Sequence, residues 1–220
     1  MQPIVPTPRA VIFDMDGTLA DTFPLVVASW NAAMRKHAGR DFAAEEVIAR
    51  FGVPDPAMIR RELPEHFGDE AVEVYHRHYE QQHTMASAFD GVDAMLAALR
   101  SRAMPLAVMT GKGRRSAAIT LAALGWGQTF DAVVTGEDVT RQKPDPEGLL
   151  IVAEKLRVAP GDCAFVGDSP ADIGAGKNAG MRTIAAGWHP VYLEEIRALG
   201  PDAWAQVPAD VVTLVRAKPE

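Results

Sequence analysis

The chain has 220 residues, of which 48% are hydrophobic, 23% are charged and 7% are aromatic. This is the composition of an ordinary globular protein, and it excludes an intrinsically disordered chain, a collagen and a fibrous rod. The 22 Lys and Arg residues against 29 Asp and Glu residues give a formal net charge of −7. Nucleic acids and anionic membranes attract basic patches, so this balance argues against either as the main partner. It does not exclude a small phosphate substrate, because a metal ion can reverse the local charge of a site.

Cysteine content and the length of apolar runs bear on the compartment. Cys163 is the single cysteine, so no internal disulfide can form and the fold does not require an oxidising compartment. No apolar stretch approaches the ~20 residues of a membrane span. Residues 1–8 lack the basic start and apolar core of a secretion signal. We therefore expect a cytoplasmic protein, monomeric or homodimeric, without a membrane or nucleic-acid partner.

Short apolar runs that do not alternate with polar residues recur along the chain. Runs of this kind predict strands that are covered on both faces, as in a parallel sheet. Five runs predict such strands, at 10–13, 106–109, 131–134, 163–166 and 183–186. A further run, at 209–212, is expected to form a last edge strand.

Helical patterns separate these runs, at 114–124, 146–156 and 170–179. Gly125 and Gly180 follow two of them, at the position where helix C-termini favour glycine. Strands that alternate with helices through short links predict an α/β fold, built on a doubly wound, Rossmann-like parallel sheet.

One long interval after the first strand, from about Phe23 to Phe89, has helical patterns and no convincing strand. It begins at the carboxyl end of that strand, which is where α/β sheets bind ligands. We therefore predict an all-helical cap domain over 23–86 that overhangs the ligand site. The α/β core would then consist of 1–22 and 87–220.

Two carboxylates, Asp14 and Asp16, follow the first predicted strand directly. Acids placed this close together beside a buried strand are costly unless a cation or a proton compensates them. The alternative is a plain chain reversal at Asp16-Gly17, because Asp-Gly is a common turn pair. The segments that follow favour the first interpretation.

Three further polar segments follow predicted strands in chain order. Thr110 and Gly111 can offer a hydroxyl and an approachable backbone N–H to an anion. Lys143 precedes a proline that restricts its backbone. Asp168 and Asp172 lie about one helical turn apart and can face the same edge of the sheet. Each segment alone also fits a structural turn or loop, but together they predict acids, a lysine and a hydroxyl in one crevice.

These four segments resemble the motifs of the haloacid dehalogenase-like hydrolase superfamily, in particular its phosphatase branch with a helical cap. Their amino-acid sequences are similar to those of phosphoglycolate phosphatases, pyrophosphatases and β-phosphoglucomutases. The segments that carry the resemblance are Asp14-Met15-Asp16-Gly17-Thr18, Thr110, Lys143 and Gly167-Asp168-Ser169-Pro170-Ala171-Asp172.

The resemblance implies a mechanism. Asp14 would be the nucleophile and would form an aspartyl-phosphate. Asp16 would protonate the leaving group and later take a proton from the attacking water. Thr110, Gly111 and Lys143 would hold the phosphoryl oxygens.

The resemblance also implies a cofactor, Mg²⁺. Its ligands would be the Asp14 carboxylate, the Asp16 backbone carbonyl and the Asp168 carboxylate, which are hard oxygen donors of the kind that Mg²⁺ prefers. Asp172 would lie just behind them and orient a metal-bound water or Lys143.

Asp16 distinguishes the phosphatase branch of this superfamily from the dehalogenase branch, because a phosphate ester leaving group needs a proton and a halide does not. We therefore predict a Mg²⁺-dependent phosphatase, a phosphoric monoester hydrolase, that acts on a small phosphorylated metabolite. Phosphoglycolate is the leading substrate. The alternatives are a phosphomutase similar to β-phosphoglucomutase, a pyrophosphatase, and an inactive binding module of the same fold.

Two groups of cap residues are less informative. A solvated helix face is the expected environment of His76, His78 and His83. Three arginines could reach a substrate carboxylate from the cap, although each is more often an exposed helix residue and nothing in the sequence selects among them. They are Arg50, Arg60 and Arg61.

Overall fold

A parallel sheet forms the centre of the protein in a computed structural model that describes residues 7–216. Within that range the strands are β1 (Ala10–Phe13), β2 (Ala20–Asp21), β3 (Ser87–Ala88), β4 (Leu106–Met109), β5 (Ala132–Val134), β6 (Cys163–Gly167), β7 (Arg182–Ala186) and β8 (Ala203–Ala205). Six of them form the sheet in the order β5-β4-β1-β6-β7-β8, and all its neighbours are parallel. β2 and β3 form a separate antiparallel ribbon.

The helices lie on both faces of the sheet and above one of its edges. In the described chain they are α1 (Phe23–Ala38), α2 (Ala44–Ile48), α3 (Asp55–Glu62), α4 (Glu65–Gln81), α5 (Val92–Arg100), α6 (Arg114–Ala123), α7 (Glu147–Leu156), α8 (Pro170–Asn178), α9 (Leu193–Leu199) and α10 (Pro208–Leu214). None of these helices is both long enough and apolar enough to cross a membrane.

Burial explains why the strands read as continuous apolar runs. Side chains of β1 and β4 that face one way join a core with α5, α6 and α10, and those that face the other way join a core with α7 and α8. Every residue of β1 and of β4 is buried. The predicted α/β fold with a doubly wound parallel sheet is therefore confirmed.

β1 lies at the point where the strand order reverses. Its neighbours are β4 on one side and β6 on the other, and the chain passes from β1 to β4 before it returns to β6. In sheets of this kind ligands bind beside the carboxyl ends of the strands at that reversal. The topology therefore brings the segments that follow β1, β4 and β6 to a single crevice.

The prediction of an edge strand at 209–212 is wrong, because these residues belong to α10. The Asp210 carboxylate accepts a hydrogen bond from the backbone N–H of Val207 (3.2 Å), which satisfies a free donor at the start of that helix. Buried side chains recur three residues apart, at Val211 and Leu214, as on one face of a helix. The last strand of the sheet along the chain is β8 instead, and it lies at one edge.

The interval after β1 is helical, as predicted, except at its end. α1 to α4 follow one another along the chain and share an apolar cluster of their own, which includes the fully buried Trp30, Tyr75 and Tyr79. We call α1 to α4 the helical insert. The chain enters and leaves the insert through the β2–β3 ribbon, so a short strand exists at Ser87–Ala88 where none was expected. The predicted core segments also include residues 1–6 and 217–220, which lie outside the described residues.

Asp55 joins the helical insert to the core. This buried residue begins α3, and its carboxylate accepts hydrogen bonds from the Gly113 backbone N–H (2.7 Å) and the Ser116 hydroxyl (2.9 Å) of the core. The His76 ring nitrogen Nε2 lies 3.0 Å from the same carboxylate. Burial raises the pKa of Asp55, but the His76 hydrogen bond and the nearby Lys112 charge outweigh it, so the pKa is below its ordinary value.

The prediction that three histidines lie on a solvated helix face is wrong for His76 and His83. α4 packs against α1 and α3 within the insert and against α6 of the core, so the side chains on those faces are buried, while its remaining face is exposed. His76 and His83 are buried, and His83 Nε2 lies 3.2 Å from the Thr120 hydroxyl. His78 Nδ1 lies 3.0 Å from the Ser29 hydroxyl.

Replacing the carboxylate that joins insert and core should destabilise the protein in a pH-dependent way. Asp55→Ala leaves several buried donors without an acceptor, so we expect the free energy of unfolding at pH 7 to fall by about 3 kcal/mol. A carboxyl with a lowered pKa contributes stability above its unfolded-state pKa of about 3.9 and loses it as the pH falls. The cost of Asp55→Ala should therefore shrink below about pH 4.

Urea unfolding at a series of pH values measures this cost. Asp69→Ala is the matched control, because the Asp69 side chain on α4 is 89% exposed. A cost for Asp55→Ala that stays constant between pH 7 and pH 3, or that equals the cost of the control, would contradict the assignment.

Candidate active site

The segment after β1 is held in a tight turn at the centre of the sheet edge. The backbone N–H of Asp14 donates to the Val166 carbonyl (2.9 Å), which continues the β1–β6 ladder by one residue, and Asp14 is buried. Gly17 has a φ of +82°, and a Cβ at this position would lie 2.0 Å from Asp168 Oδ2. Only glycine allows both the backbone conformation and this close approach. Thr18 donates its hydroxyl to Asp168 Oδ1 (2.8 Å) from the same turn.

Three carboxylates converge beside this turn. Asp14, Asp168 and Asp172 each present an oxygen atom, and these atoms all lie within 4.8 Å of one another. Asp168 comes directly after β6, and Asp172 is the third residue of α8. Asp172 Oδ2 accepts hydrogen bonds from the backbone N–H (3.0 Å) and the hydroxyl (2.6 Å) of Ser169, which fixes its position at the start of the helix.

Lys143 reaches this cluster from the loop before α7. Its ammonium Nζ lies 2.8 Å from Asp14 Oδ1 and 2.6 Å from Asp172 Oδ1. Burial lowers the pKa of Lys143, but the two carboxylates outweigh it and raise the pKa above its ordinary value. The lysine is therefore a fixed positive charge between the two acids.

One lysine does not compensate the whole cluster. Burial raises the pKa of Asp14 well above its ordinary value, Lys143 opposes that rise, and the neighbouring carboxylates Asp172 and Asp168 add to it. Burial also raises the pKa of Asp168, although its hydrogen bond to His189 opposes this. A cluster of this kind favours binding of a cation or a proton.

Thr110 and Gly111 lie at the carboxyl end of β4, across from Asp14. Thr110 is 1% exposed, and its backbone N–H donates to the Val134 carbonyl (3.0 Å). Both residues line the same cavity as Asp14 and Lys143. The structure thus brings Thr110, Gly111 and Lys143, the residues expected to contact a phosphate, to the wall of one cavity.

Asp16 is separated from the three clustered carboxylates. Its side chain accepts a hydrogen bond from the Thr22 hydroxyl and forms an ion pair with Lys112, whose Nζ lies 3.1 Å from Asp16 Oδ1. Sequence reasoning assigned no role to Lys112, although it stands two residues after Thr110 at the same strand end. A lysine so close to a predicted phosphate contact is the feature of the sequence that could have identified it as a site residue. Lys112 is 6% exposed, and Nζ lies 4.9 Å from the centre of the Tyr79 ring.

His189 is a second residue that sequence reasoning missed. Its Nδ1 lies 2.8 Å from Asp168 Oδ2, and its ring stacks on Phe23 with centroids 4.9 Å apart. The Phe89 ring lies tilted against the His189 ring at a centroid distance of 5.8 Å. Phe23 and Phe89 follow the two strands of the β2–β3 ribbon. His189 therefore connects Asp168 to the segments through which the chain enters and leaves the insert.

A cavity of about 490 Å³ lies between the core and the helical insert. The core side is mainly polar and carries Asp14, Asp16, Asp168, Lys112 and Lys143. The insert side is mainly apolar, and its nonpolar lining residues are Phe23, Val26, Ile48, Ala49, Phe51, Val53 and Met58.

None of the three arginines considered as substrate contacts lines this cavity. Arg50 forms an ion pair with Glu62 (3.2 Å), and its guanidinium packs over Trp30. Arg60 pairs with Asp69 (3.0 Å) at the surface, and Arg61 is exposed. Arg50 and Arg60 therefore form ion pairs away from the cavity lining, and Arg61 is exposed at the surface.

Comparison with known proteins agrees with this geometry. The model of the family described as haloacid dehalogenase-like hydrolase matches residues 11–186. A Cupriavidus necator protein named phosphoglycolate phosphatase, plasmid, is 33% identical over 210 residues, which cover 92% of this chain and 87% of its own. Pyrophosphatase PpaX of Bacillus velezensis is 30% identical over 217 residues, which cover 95% of this chain and 97% of its own.

The fold is also shared with solved structures. The crystal structure of a predicted phosphoglycolate phosphatase from Haemophilus somnus has a TM-score of 0.86 and 23% identity, and the match covers 97% of this chain and 100% of that chain. The family match spans most of the chain, including the segments that carry Asp14, Thr110, Lys143 and Asp168. The chain belongs to the haloacid dehalogenase-like hydrolases, which confirms the resemblance carried by its four motifs.

Proposed function

We propose that this protein is a Mg²⁺-dependent phosphatase that hydrolyses a small phosphorylated metabolite through an aspartyl-phosphate at Asp14. One observation carries the proposal: oxygen atoms of Asp14, Asp168 and Asp172 lie within 4.8 Å of one another, and the Lys143 ammonium contacts Asp14 and Asp172. Phosphoryl transfer needs an anionic nucleophile beside fixed positive charge, and this arrangement can supply both. A dehalogenation reaction would not require the second acid, Asp16, because a halide leaving group needs no proton.

The donor set fits a divalent cation that prefers oxygen. We propose that Asp14, Asp168 and the backbone carbonyl of Asp16 hold Mg²⁺, and that Asp172 holds Lys143 in place. Carboxylate and carbonyl oxygens suit this ion. Burial, and then the neighbouring carboxylates, raise the pKa of Asp14, so a cation beside it would stabilise its ionised form. When bound, Mg²⁺ would offset the charge of the substrate phosphate beside the nucleophile.

The proposed reaction has two displacements at phosphorus. A carboxylate oxygen of Asp14 forms a bond to phosphorus as the bond to the leaving oxygen breaks, and Asp16 gives that oxygen a proton. Water then attacks the same phosphorus, Asp16 takes its proton, and the bond from phosphorus to Asp14 breaks. Inorganic phosphate and the free carboxylate of Asp14 are the products.

Positive charge and hydrogen-bond donors at the floor of the cavity would stabilise the transferring group. Lys143, which is 2.8 Å from Asp14, can contact a phosphoryl oxygen without losing its hold on Asp172. Thr110 and Gly111 line the same cavity and can supply a hydroxyl and a backbone N–H. Donors that are fixed before the reaction stabilise developing charge more than mobile water does.

Phosphoglycolate is the leading substrate of the proposal, and inorganic pyrophosphate is the second candidate. The relatives named phosphoglycolate phosphatase and pyrophosphatase PpaX support these two at similar identity, 33% and 30%. Both compounds are small and would fit the cavity of about 490 Å³.

Removing the nucleophile should abolish turnover. Asp14→Asn replaces the anionic oxygen by a neutral amide of the same size, and we expect phosphate release to fall at least about 1,000-fold. The assay measures inorganic phosphate from phosphoglycolate, pyrophosphate and sugar phosphates with Mg²⁺ and, in parallel, with EDTA.

Asp41→Asn is the control for that experiment, because Asp41 is an exposed carboxylate that pairs with Arg35 on the insert. It should keep the rate of the unmodified protein. The proposal fails if the unmodified protein releases phosphate from none of these compounds, or if Asp14→Asn remains fully active.

Losing the His189 hydrogen bond should weaken metal binding without removing a ligand. Partners that orient a ligating group typically change metal affinity by about 10- to 100-fold, so His189→Leu should raise the Mg²⁺ dissociation constant by that factor. Isothermal titration calorimetry on the folded proteins measures it. His66→Leu, at an exposed position of α4, is the matched control. Equal affinities for His189→Leu and the unmodified protein would refute a positioning role.

A further inference from the structure

Lys112 is a buried cation that the proposed reaction does not use. Its side chain is 3% exposed, and it lines the cavity between core and insert. Lys143 already serves Asp14 and Asp172 on the other side of the site. Burying an ammonium group is costly unless it is paired, and the carboxylate that Lys112 contacts is that of Asp16.

The contacts of Lys112 place it on the leaving-group side of the site. Nζ lies 3.1 Å from Asp16 Oδ1, and Asp16 is the acid that would protonate the leaving oxygen. A substituent one or two bonds beyond that oxygen therefore comes within reach of Lys112. This step rests on the proposed function, because it takes the role of Asp16 from it.

Tyr75 adds a second polar group at the same place. Its side chain is fully buried and lines the cavity, and its hydroxyl has no hydrogen-bond partner among residues 7–216. An unpaired buried hydroxyl is uncommon and marks a position where a ligand can supply the missing partner.

The rest of the insert wall offers no alternative cation. Within the described chain, the insert contributes no Lys or Arg to the cavity lining, and most of its lining side chains are apolar. A leaving group with many hydroxyls would lose its hydrogen bonds to water against such a wall. A compact leaving group with one charged end would instead direct that end at Lys112.

We propose that Lys112 is a specificity-determining residue that binds a second anionic group carried by the leaving group of the substrate. The substrate class is then a small phosphate ester or anhydride with a carboxylate or phosphate one or two bonds from the bridging oxygen. Tyr75 donates its hydroxyl to the same anion. The competing role for Lys112 is to hold Asp16 in position, which would affect every substrate equally.

A pair of substrates of the same shape separates these roles. Phosphoglycolate carries a carboxylate, and phosphoglycolamide carries a neutral amide in its place. A hydrogen bond to a charged group in a buried site contributes enough for about a 10- to 100-fold preference, so kcat/KM of the unmodified protein should favour phosphoglycolate by that factor.

The readout for variants is the ratio of the two kcat/KM values. Lys112→Met should bring the ratio close to one, even if its effect on Asp16 slows both reactions. Lys112→Arg keeps the charge and should retain most of the preference. Tyr75→Phe removes only the hydroxyl and should lower the ratio by a smaller factor. Arg60→Met is the control and should leave the ratio unchanged, because Arg60 pairs with Asp69 outside the cavity.

Each outcome decides between the roles. A ratio that Lys112→Met leaves unchanged while both rates fall would overturn the inference and assign Lys112 to Asp16 alone. A ratio close to one in the unmodified protein would overturn it without any variant, so the test does not depend on Lys112→Met folding. If the unmodified protein hydrolyses neither these two esters nor any other phosphate compound, the proposed function itself fails.

Discussion

Four carboxylates and two ammonium groups lie at the carboxyl edge of the sheet. The surrounding turns and hydrogen bonds are arranged to accommodate their charges. Asp14, Asp168 and Asp172 approach one another within 4.8 Å in a buried pocket, where mutual repulsion is poorly screened. The turn at Gly17 exists in a form that only glycine allows, because Asp168 occupies the space of a side chain. Thr18, His189 and Ser169 each satisfy one of the acids. The pocket thus concentrates negative charge, which favours binding of a cation or a proton.

The sheet topology explains how residues more than 100 positions apart meet in this pocket. β1 lies between β4 and β6, so the segments after all three strands end at one edge, and Lys143 reaches them from the loop before α7. The helical insert leaves the same edge through the β2–β3 ribbon and contacts the core through Asp55. His189 contacts both the ribbon side and Asp168, so the cluster and the base of the insert share a neighbour.

The sequence predicted the parts of the fold that local pattern determines. Continuous apolar runs identified five strands of the sheet, because strands buried on both faces carry no polar alternation. The strand prediction at 209–212 was wrong because four mostly apolar residues fit a strand or one face of a helix equally well. The hydrogen bond to Asp210 at the start of α10 stabilises the helix. His76 and Lys112 could not be placed from spacing alone, because residues distant in the chain surround them. His76 contacts Asp55, and Lys112 contacts Asp16 and the Tyr79 ring.

The most direct test of the charge balance is thermal unfolding in MgCl₂ and in EDTA, for the unmodified protein and for Asp168→Asn. A ligand that binds only the folded state stabilises it by mass action. The melting temperature of the unmodified protein should rise by about 5 °C at a Mg²⁺ concentration about 100 times the dissociation constant. The same addition should leave Asp168→Asn almost unchanged. Equal shifts in the two proteins, or no shift in the unmodified protein, would contradict a metal site built on these carboxylates.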